Sequence, residues 1–202
     1  MKTGFFIVLT CLLGYYANGE SSIYLPNNLD DSLRLKALKI KQLYVLSTAS
    51  SKDECYYYQL QFFDAFPDSF KQLNKLYADK DGPLSSVAHE HIYLFNGLNN
   101  INDTLYYKKI ISIGIGGHWD ADAIDFFQQG LRNKILGNPE LTATILKNLS
   151  TKKILSFWRF YFDGPHPKKQ LQEPLQRMKF INNKIYNLMV QAQTVVLKDW
   201  KE

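Results

Sequence analysis

Two short polar segments contain the residue types that most often carry out chemistry in proteins. Residues 118–122 read HWDAD, and residues 163–166 read DGPH. Imidazole and carboxylate groups bind metal ions and transfer protons near neutral pH. An indole ring can stack on a ligand whose polar edge is bound by neighbouring groups. We therefore predict that the two segments form one binding cleft, with the candidate residues His118, Trp119, Asp120, Asp122, Asp163 and His166.

This cluster has an enzymatic alternative, a metal-dependent or acid–base hydrolase. His118, His166 and a carboxylate could bind zinc, and two carboxylates beside a sugar could hydrolyse a glycosidic bond. However, no serine stands in a nucleophile elbow. The helical zinc pair needs two histidines four residues apart, whereas His89 and His91 are two apart. The sequence therefore assigns no catalytic residue, no metal ligand and no cofactor, and we expect a protein that is not an enzyme.

The same residues also have purely structural explanations. On a helix a two-residue step turns the side chain by about 200°, so one of His89 and His91 should pack at the core edge while the other faces water. Asp120 or Asp122 should cap the helix that follows, because a carboxylate there accepts backbone N–H bonds and meets the positive end of the helix dipole. The glycines of residues 114–117, GIGG, should end the preceding helix.

Amphipathic helices must position these segments. Apolar side chains recur at helical spacing over most of the chain, and turn sequences such as residues 81–83, DGP, separate them. Ser51 and Glu54 form a capping-box pattern at the start of one helix. The clearest amphipathic pattern predicts one long helix from near Pro174 to Val195. We predict an all-α fold, a compact bundle of about eight helices.

The first nineteen residues predict a cleavable signal peptide. After one lysine, residues 5–13 form an apolar run with the length of a signal-peptide core, too short to span a bilayer. Ala17 and Gly19 are the small residues expected before a cut at Glu20. A lipid anchor on Cys11 and an uncleaved anchor are the alternatives. We predict a signal peptide over residues 1–19 and one helical domain over residues 20–202, exported to the periplasm or outside the cell.

The composition of the mature chain limits its partners. Without the signal, 23 basic and 19 acidic side chains remain, and the basic ones are spread along the chain. Nucleic-acid binding, which needs a basic cluster, is therefore not expected. No later apolar stretch approaches the ~20 residues of a membrane span.

Cys55 is the single cysteine left in the mature chain, so no internal disulfide can form. We expect Cys55 to pack in an apolar stripe, with a disulfide-linked dimer as the alternative.

Three segments of the chain carry a resemblance to other proteins. They are residues 62–70 (FFDAFPDSF), the pair His89 and His91, and residues 162–167 (FDGPHP). Together they resemble a group of uncharacterised secreted helical proteins of Bacteroidetes-type bacteria, over about residues 62–167 of this chain. The resemblance implies export and a helical fold. It implies no activity and brings no catalytic residues with it.

The tyrosine content favours an interaction role. The chain has 13 tyrosines, and the runs at residues 56–58 and 106–107 cannot all face inward on a helix. Exposed tyrosines supply rigid amphipathic contact area, which suits protein or glycan partners. We therefore predict an exported helical binding or interaction protein, whose partner is another protein or a cell-envelope or glycan component. The hydrolase remains the alternative.

Overall fold

The computed structural model describes residues 31–167 and 170–200. Within these residues the protein has ten α-helices and no β-strand. This confirms the all-α prediction, although the helices number ten and not about eight. The helices are α1 Asp31–Ala49, α2 Lys52–Ala65, α3 Phe70–Leu73, α4 Ala88–Gly97, α5 Asp103–Gly114, α6 Ala123–Gly137, α7 Pro139–Leu146, α8 Thr151–Phe162, α9 Glu173–Ile181 and α10 Asn183–Asp199. A π-helical turn, Asn74–Ala78, follows α3, and a 3-10 turn, Ser85–Val87, precedes α4.

Short polar side chains begin half of these helices. In each case the side chain accepts a hydrogen bond from the backbone N–H three residues further on, which satisfies one of the free donors of the first turn. The five capping residues are Ser69, Asn102, Asn138, Ser150 and Asn182. Local hydrogen bonding therefore stabilises the starts of half of the described helices.

One cap differs from the capping-box prediction. Ser51 stands at the N-terminus of α2, but its side chain accepts no backbone N–H. Instead its hydroxyl donates to Glu54 Oε2 at 2.8 Å. The two side chains therefore bond to each other on the exposed surface, where water can satisfy the backbone donors.

The long C-terminal helix of the prediction is two helices. Asn182 lies between α9 and α10 with an extended backbone, φ −157°. Its side-chain oxygen accepts from the N–H of Ile185 at 3.1 Å. An asparagine side chain that bonds nearby backbone competes with helix continuation. The chain therefore turns here, although the apolar periodicity continues on both sides.

Aromatic rings form the centre of the core. Phe66 stacks on Phe95 with ring centroids 3.9 Å apart, and Phe95 contacts Phe127, which contacts Phe160 in turn. Trp158 is also fully buried. The buried apolar side chains form one cluster that runs from α1 to α10. In this packing α1 lies against α2, α4 against α6, and α8 against α10.

The described helices bear on the predictions about membrane spans and about Cys55. None of these helices is both long and apolar enough to cross a membrane. Cys55 is the one cysteine in the described ranges, and it is a free, half-buried thiol. Its Sγ donates to the carbonyl of Ser47 at 2.7 Å. The predicted signal peptide, the cut before Glu20 and Cys11 all lie outside the described residues.

Candidate functional site

The two predicted polar segments lie against each other in the fold. The loop from α5 to α6 contains residues 118–122, and the loop after α8 contains residues 163–166. The backbone N–H of Trp119 donates to Asp163 Oδ2 at 2.6 Å, across 44 positions of sequence. This hydrogen bond is the direct link between the two loops.

Asp163 uses its carboxylate to hold the backbone. Oδ2 accepts the Trp119 N–H, and Oδ1 accepts the N–H of Gly164 at 3.0 Å. Charge-assisted bonds from backbone amides to a carboxylate are stronger than neutral ones. With both oxygens engaged in this way, Asp163 acts as a structural tie between the loops.

Two polar side chains of α6 complete this junction, and the sequence reasoning missed both. Arg132 donates through Nε to the carbonyl of Tyr161 at 2.9 Å and through Nη2 to the carbonyl of Asp163 at 2.6 Å. Gln128 Nε2 donates to the carbonyls of Phe160 and Asp163. These are the carbonyls that a helix end leaves without intrahelical partners. Burial lowers the pKa of the Arg132 guanidinium, which remains a cation because its usual value is so high.

The sequence does contain a pattern that could have identified Gln128 and Arg132. Gln128 and Arg132 are four positions apart, so they share one face of α6. That face also carries Ile124, Leu131 and Ile135, all of which are buried. Two polar residues on the apolar face of an amphipathic helix indicate buried acceptors opposite them.

His118 lies at the edge of a large open cleft. The cleft has a volume of about 920 Å³ and lies between residues 116–118, α8 and α10. The imidazole of His118 is exposed and contacts the ring of Phe70 edge-on, with centroids 4.8 Å apart. The residues that line the cleft are Gly116, Gly117, His118, Thr151, Lys152, Leu155, Ser156, Arg159, Asp163, Gly164, Val196, Asp199 and Trp200.

His166 lines a different depression. This smaller hollow, about 240 Å³, lies beside the loop between α8 and α9. Asp163 and Gly164 line both the hollow and the large cleft, so they form the wall between them. His166 is exposed, and its ring lies 6.5 Å from that of Trp200. The two histidines of the predicted cluster therefore open onto separate depressions.

The remaining three predicted residues line neither depression. Trp119 is half-buried and donates through Nε1 to Asp125 Oδ1 at 3.3 Å. Asp120 is exposed, and its Oδ1 accepts the N–H of Ala121 at 2.8 Å. Asp122 precedes α6 but makes no side-chain cap, and its φ of +57° is unusual for an aspartate. The predicted carboxylate cap of α6 is therefore not formed.

The glycine cluster behaves as a helix end. α5 stops at Gly114, and Gly116 adopts φ +81°, the left-handed region that glycine enters without cost. The N–H of Gly116 donates to Ser156 Oγ at 2.8 Å. Gly117 lies so close to the ring of Phe160 that a Cβ would be 2.6 Å from Cδ2. The glycines therefore let this loop pack tightly on α8.

No group of three or more histidine, cysteine, aspartate or glutamate side chains in the described ranges is placed to hold a metal ion. His118 contacts an aromatic ring, and His166 lies next to an indole.

The two histidines of α4 have opposite environments. His89 is exposed and packs edge-on against Phe126, with centroids 4.6 Å apart. His91 is 1% exposed, and its Nδ1 lies 3.2 Å from the hydroxyl of Tyr77. Burial lowers the pKa of His91 to about 4, because the cationic form loses its hydration there. The two-residue spacing on a helix produces this contrast.

The tyrosines divide between surface and core. Tyr56 and Tyr57 are about half exposed, and Tyr93 is 75% exposed. Tyr106 and Tyr107 are both buried, and their hydroxyls donate to the carbonyls of Phe95 and Lys134. Burial raises the pKa of both phenols. Adjacent residues of α5 are both buried because neighbouring elements pack against two sides of that helix.

The chain was compared with protein-family models, curated proteins and solved structures, and none of them matches it.

Proposed function

We propose that the protein is an exported binding protein that holds a polypeptide segment of a partner protein in the cleft between α8 and α10. The observation that carries this proposal is the cleft of about 920 Å³ with the half-exposed indole of Trp200 in its wall. A volume of this size falls within the range of protein ligand sites.

The cleft combines apolar and aromatic contact surface. Leu155 of α8 and Val196 of α10 provide aliphatic surface. Trp200 Nε1 donates to the carbonyl of Pro165 at 3.0 Å, which orients the indole, and the residue is 51% exposed. An exposed tryptophan at a concave surface is the kind of residue that dominates binding energy at protein interfaces.

The rim of the cleft carries charges of both signs. Arg159 Nη2 lies 3.3 Å from Asp199 Oδ2, and both side chains are more than half exposed. An exposed ion pair of this kind contributes little to folding stability. Its partners are therefore free to exchange with charges of a ligand. Lys152 adds a further cation, so the rim suits a polypeptide that carries acidic and basic side chains.

The geometry gives the alternative, a hydrolase, less support. A general base needs a third group that orients it, whereas His118 contacts a phenylalanine ring. Asp163 uses both carboxylate oxygens to bind backbone amides. His166 opens onto the other depression. Export rests on the predicted signal peptide, and the choice between a protein and a glycan partner rests on the charged rim.

A displayed random-peptide library, selected on the immobilised protein, tests this function. We expect selected peptides to bind Trp200→Ala about 30-fold more weakly, which corresponds to the ~2 kcal/mol of an interface hot spot. Phe180→Ala is the matched control, because Phe180 is 89% exposed on α9 and lines none of the depressions described above.

Two further measurements complete this test. Urea unfolding of both variants establishes that each still folds. Cell-wall glycans, tested in parallel, would point to an envelope ligand if they alone bind in a Trp200-dependent way. Failure to select any peptide that depends on Trp200 would contradict the proposal.

A further inference from the structure

A second groove lies between α5 and α7. It has a volume of about 500 Å³. Residues 104, 108, 111 and 112 line it from α5, and Ile115 lines it just after the end of that helix. Residues 141, 144, 145, 148 and 149 line it from α7 and the turn that follows. These spacings are those of a single helix face. The groove is therefore the seam between two helix faces, separate from the cleft beside Trp200.

Aliphatic side chains form the floor of this groove. Ile111 and Ile145 are buried at its base, and Ile115, Leu141 and Leu149 are half-buried. The last three leave part of their aliphatic surface in contact with water. A ligand with an aliphatic chain gains free energy when it covers such surface.

The charged residues in the lining of this groove are two lysines. Lys108 of α5 and Lys153 of α8 line the groove, and no acidic residue does. Both side chains are exposed, and neither forms an ion pair with a carboxylate of the described ranges. By contrast, the neighbouring Lys109 lies 2.6 Å from Asp68. The groove therefore presents two uncompensated positive charges above an apolar floor.

The polar groups of the groove suit a small ligand better than a peptide. Backbone amides on the two helix faces are used in helical hydrogen bonds. Ser112 Oγ donates to the carbonyl of Asp68 at 2.8 Å, and Asn148 Nδ2 donates to the carbonyl of Thr144 at 3.0 Å. A peptide backbone would find few partners here. The ammonium groups remain as the strongest donors, and they suit one compact anionic group.

We propose that this groove binds an anionic amphiphile, a single aliphatic chain with a carboxylate headgroup. The chain lies on the aliphatic floor, and the carboxylate pairs with the ammonium groups of Lys108 and Lys153. This site is independent of the peptide cleft, so either can exist without the other.

Isothermal titration of the purified protein with dodecanoate tests this proposal, at concentrations below its micelle formation. We expect dodecanoate to bind, octanoate to bind more weakly by up to about fourfold per methylene removed, and acetate not to bind measurably. Dodecyltrimethylammonium, which has the same chain and the opposite charge, should bind at least tenfold more weakly. Dodecanoate that binds no more tightly than acetate, or no more tightly than the cationic amphiphile, would overturn the proposal.

Variants locate the site. Lys108→Glu together with Lys153→Glu should weaken dodecanoate binding at least tenfold. The matched control is Lys71→Glu with Lys179→Glu, which makes the same charge change at exposed positions outside the groove and should alter binding less than twofold. Trp200→Ala should also leave it unchanged. Equal loss in both charge variants would indicate non-specific attraction, and loss in Trp200→Ala would place the ligand in the other cleft; either result rejects the groove.

Discussion

His91 should make the stability of the folded protein depend on pH. Its imidazole is buried among the rings of Tyr44, Phe62 and Tyr77. Desolvation lowers the pKa of His91 from its usual 6.5 to about 4, and the charge of Glu90 acts in the opposite direction. A further cation, Lys41, acts in the same direction as burial.

The sign and size of the effect follow from proton linkage. Between pH 6.5 and pH 4 the unfolded chain has this histidine protonated while the folded protein keeps it neutral, so acid favours unfolding. The stability associated with the neutral ring is complete above pH 6.5 and is lost as the pH falls towards the folded-state pKa of His91, about 4. At 1.36 kcal/mol per pKa unit, the loss from this group is about 2 kcal/mol at pH 5 and about 3 kcal/mol at pH 4.

Urea unfolding at pH 7.5, 5 and 4, followed by circular dichroism, measures this loss. His91→Gln is the test variant, because an amide can still bond the Tyr77 hydroxyl but does not titrate. The drop in unfolding free energy between pH 7.5 and pH 5 should be about 2 kcal/mol smaller in the variant than in the natural protein. Carboxylate titration is common to both proteins and cancels in the comparison.

A matched control is two residues away. His89→Gln removes an exposed imidazole from the same helix and should retain the full pH dependence of the natural protein. Identical pH profiles for the natural protein and His91→Gln would refute the reasoning. So would a loss of pH dependence in His89→Gln alone.

Three other predictions follow from the fold and the chain start. Arg132→Met removes the side-chain donor of the Tyr161 carbonyl and one of the two donors of the Asp163 carbonyl, the other being Gln128. It should lower the unfolding free energy by about 3 kcal/mol in urea titration. Arg177→Met, which removes an exposed pair with a 4.0 Å separation, should change it by less than about 0.5 kcal/mol. Gly117→Ala places a methyl carbon 2.6 Å from a buried phenylalanine ring and should lower the unfolding free energy by about 1–3 kcal/mol in the same assay. Gly137→Ala meets no neighbouring group within 4 Å of the added carbon, so it should leave the unfolding free energy unchanged or raise it slightly. If the signal peptide is cut as predicted, intact mass and N-terminal sequencing of the exported protein will begin at Glu20, and a mass that retains residues 1–19 would count against cleavage.

Much of the helical architecture could be predicted because its signals are local. Apolar spacing of 3.6 residues and the turn at residues 81–83 are visible in any short window of sequence. The same local view missed the break at Asn182, where the apolar pattern continues without interruption. Whether an asparagine side chain faces solvent or caps the following helix depends on how the two helices pack, which periodicity does not record.

In the candidate site, the sequence predicted which residues are of interest, but not what their side chains bind. Residue types alone directed attention to Asp163 and His118, and the structure places their loops in contact. The role of the Asp163 carboxylate, however, depends on Trp119, which is 44 residues away in the sequence. The carboxylate accepts the backbone N–H of Trp119 and so joins the two loops. The separate depressions of His118 and His166 likewise result from the path of the chain between them.

Only the tertiary structure could reveal the two sites proposed above. Lys108 and Lys153 are 45 positions apart and lie in unremarkable helical segments, yet the packing of α5 beside α7 and α8 brings them to one groove. Trp200 and Arg159 come to one cleft in the same way. Short-range hydrogen bonds and periodicity are encoded along the chain, and so the sequence by itself determined most of the helices. Clefts and grooves are products of contact between distant segments, and so they were decided by the way those helices pack.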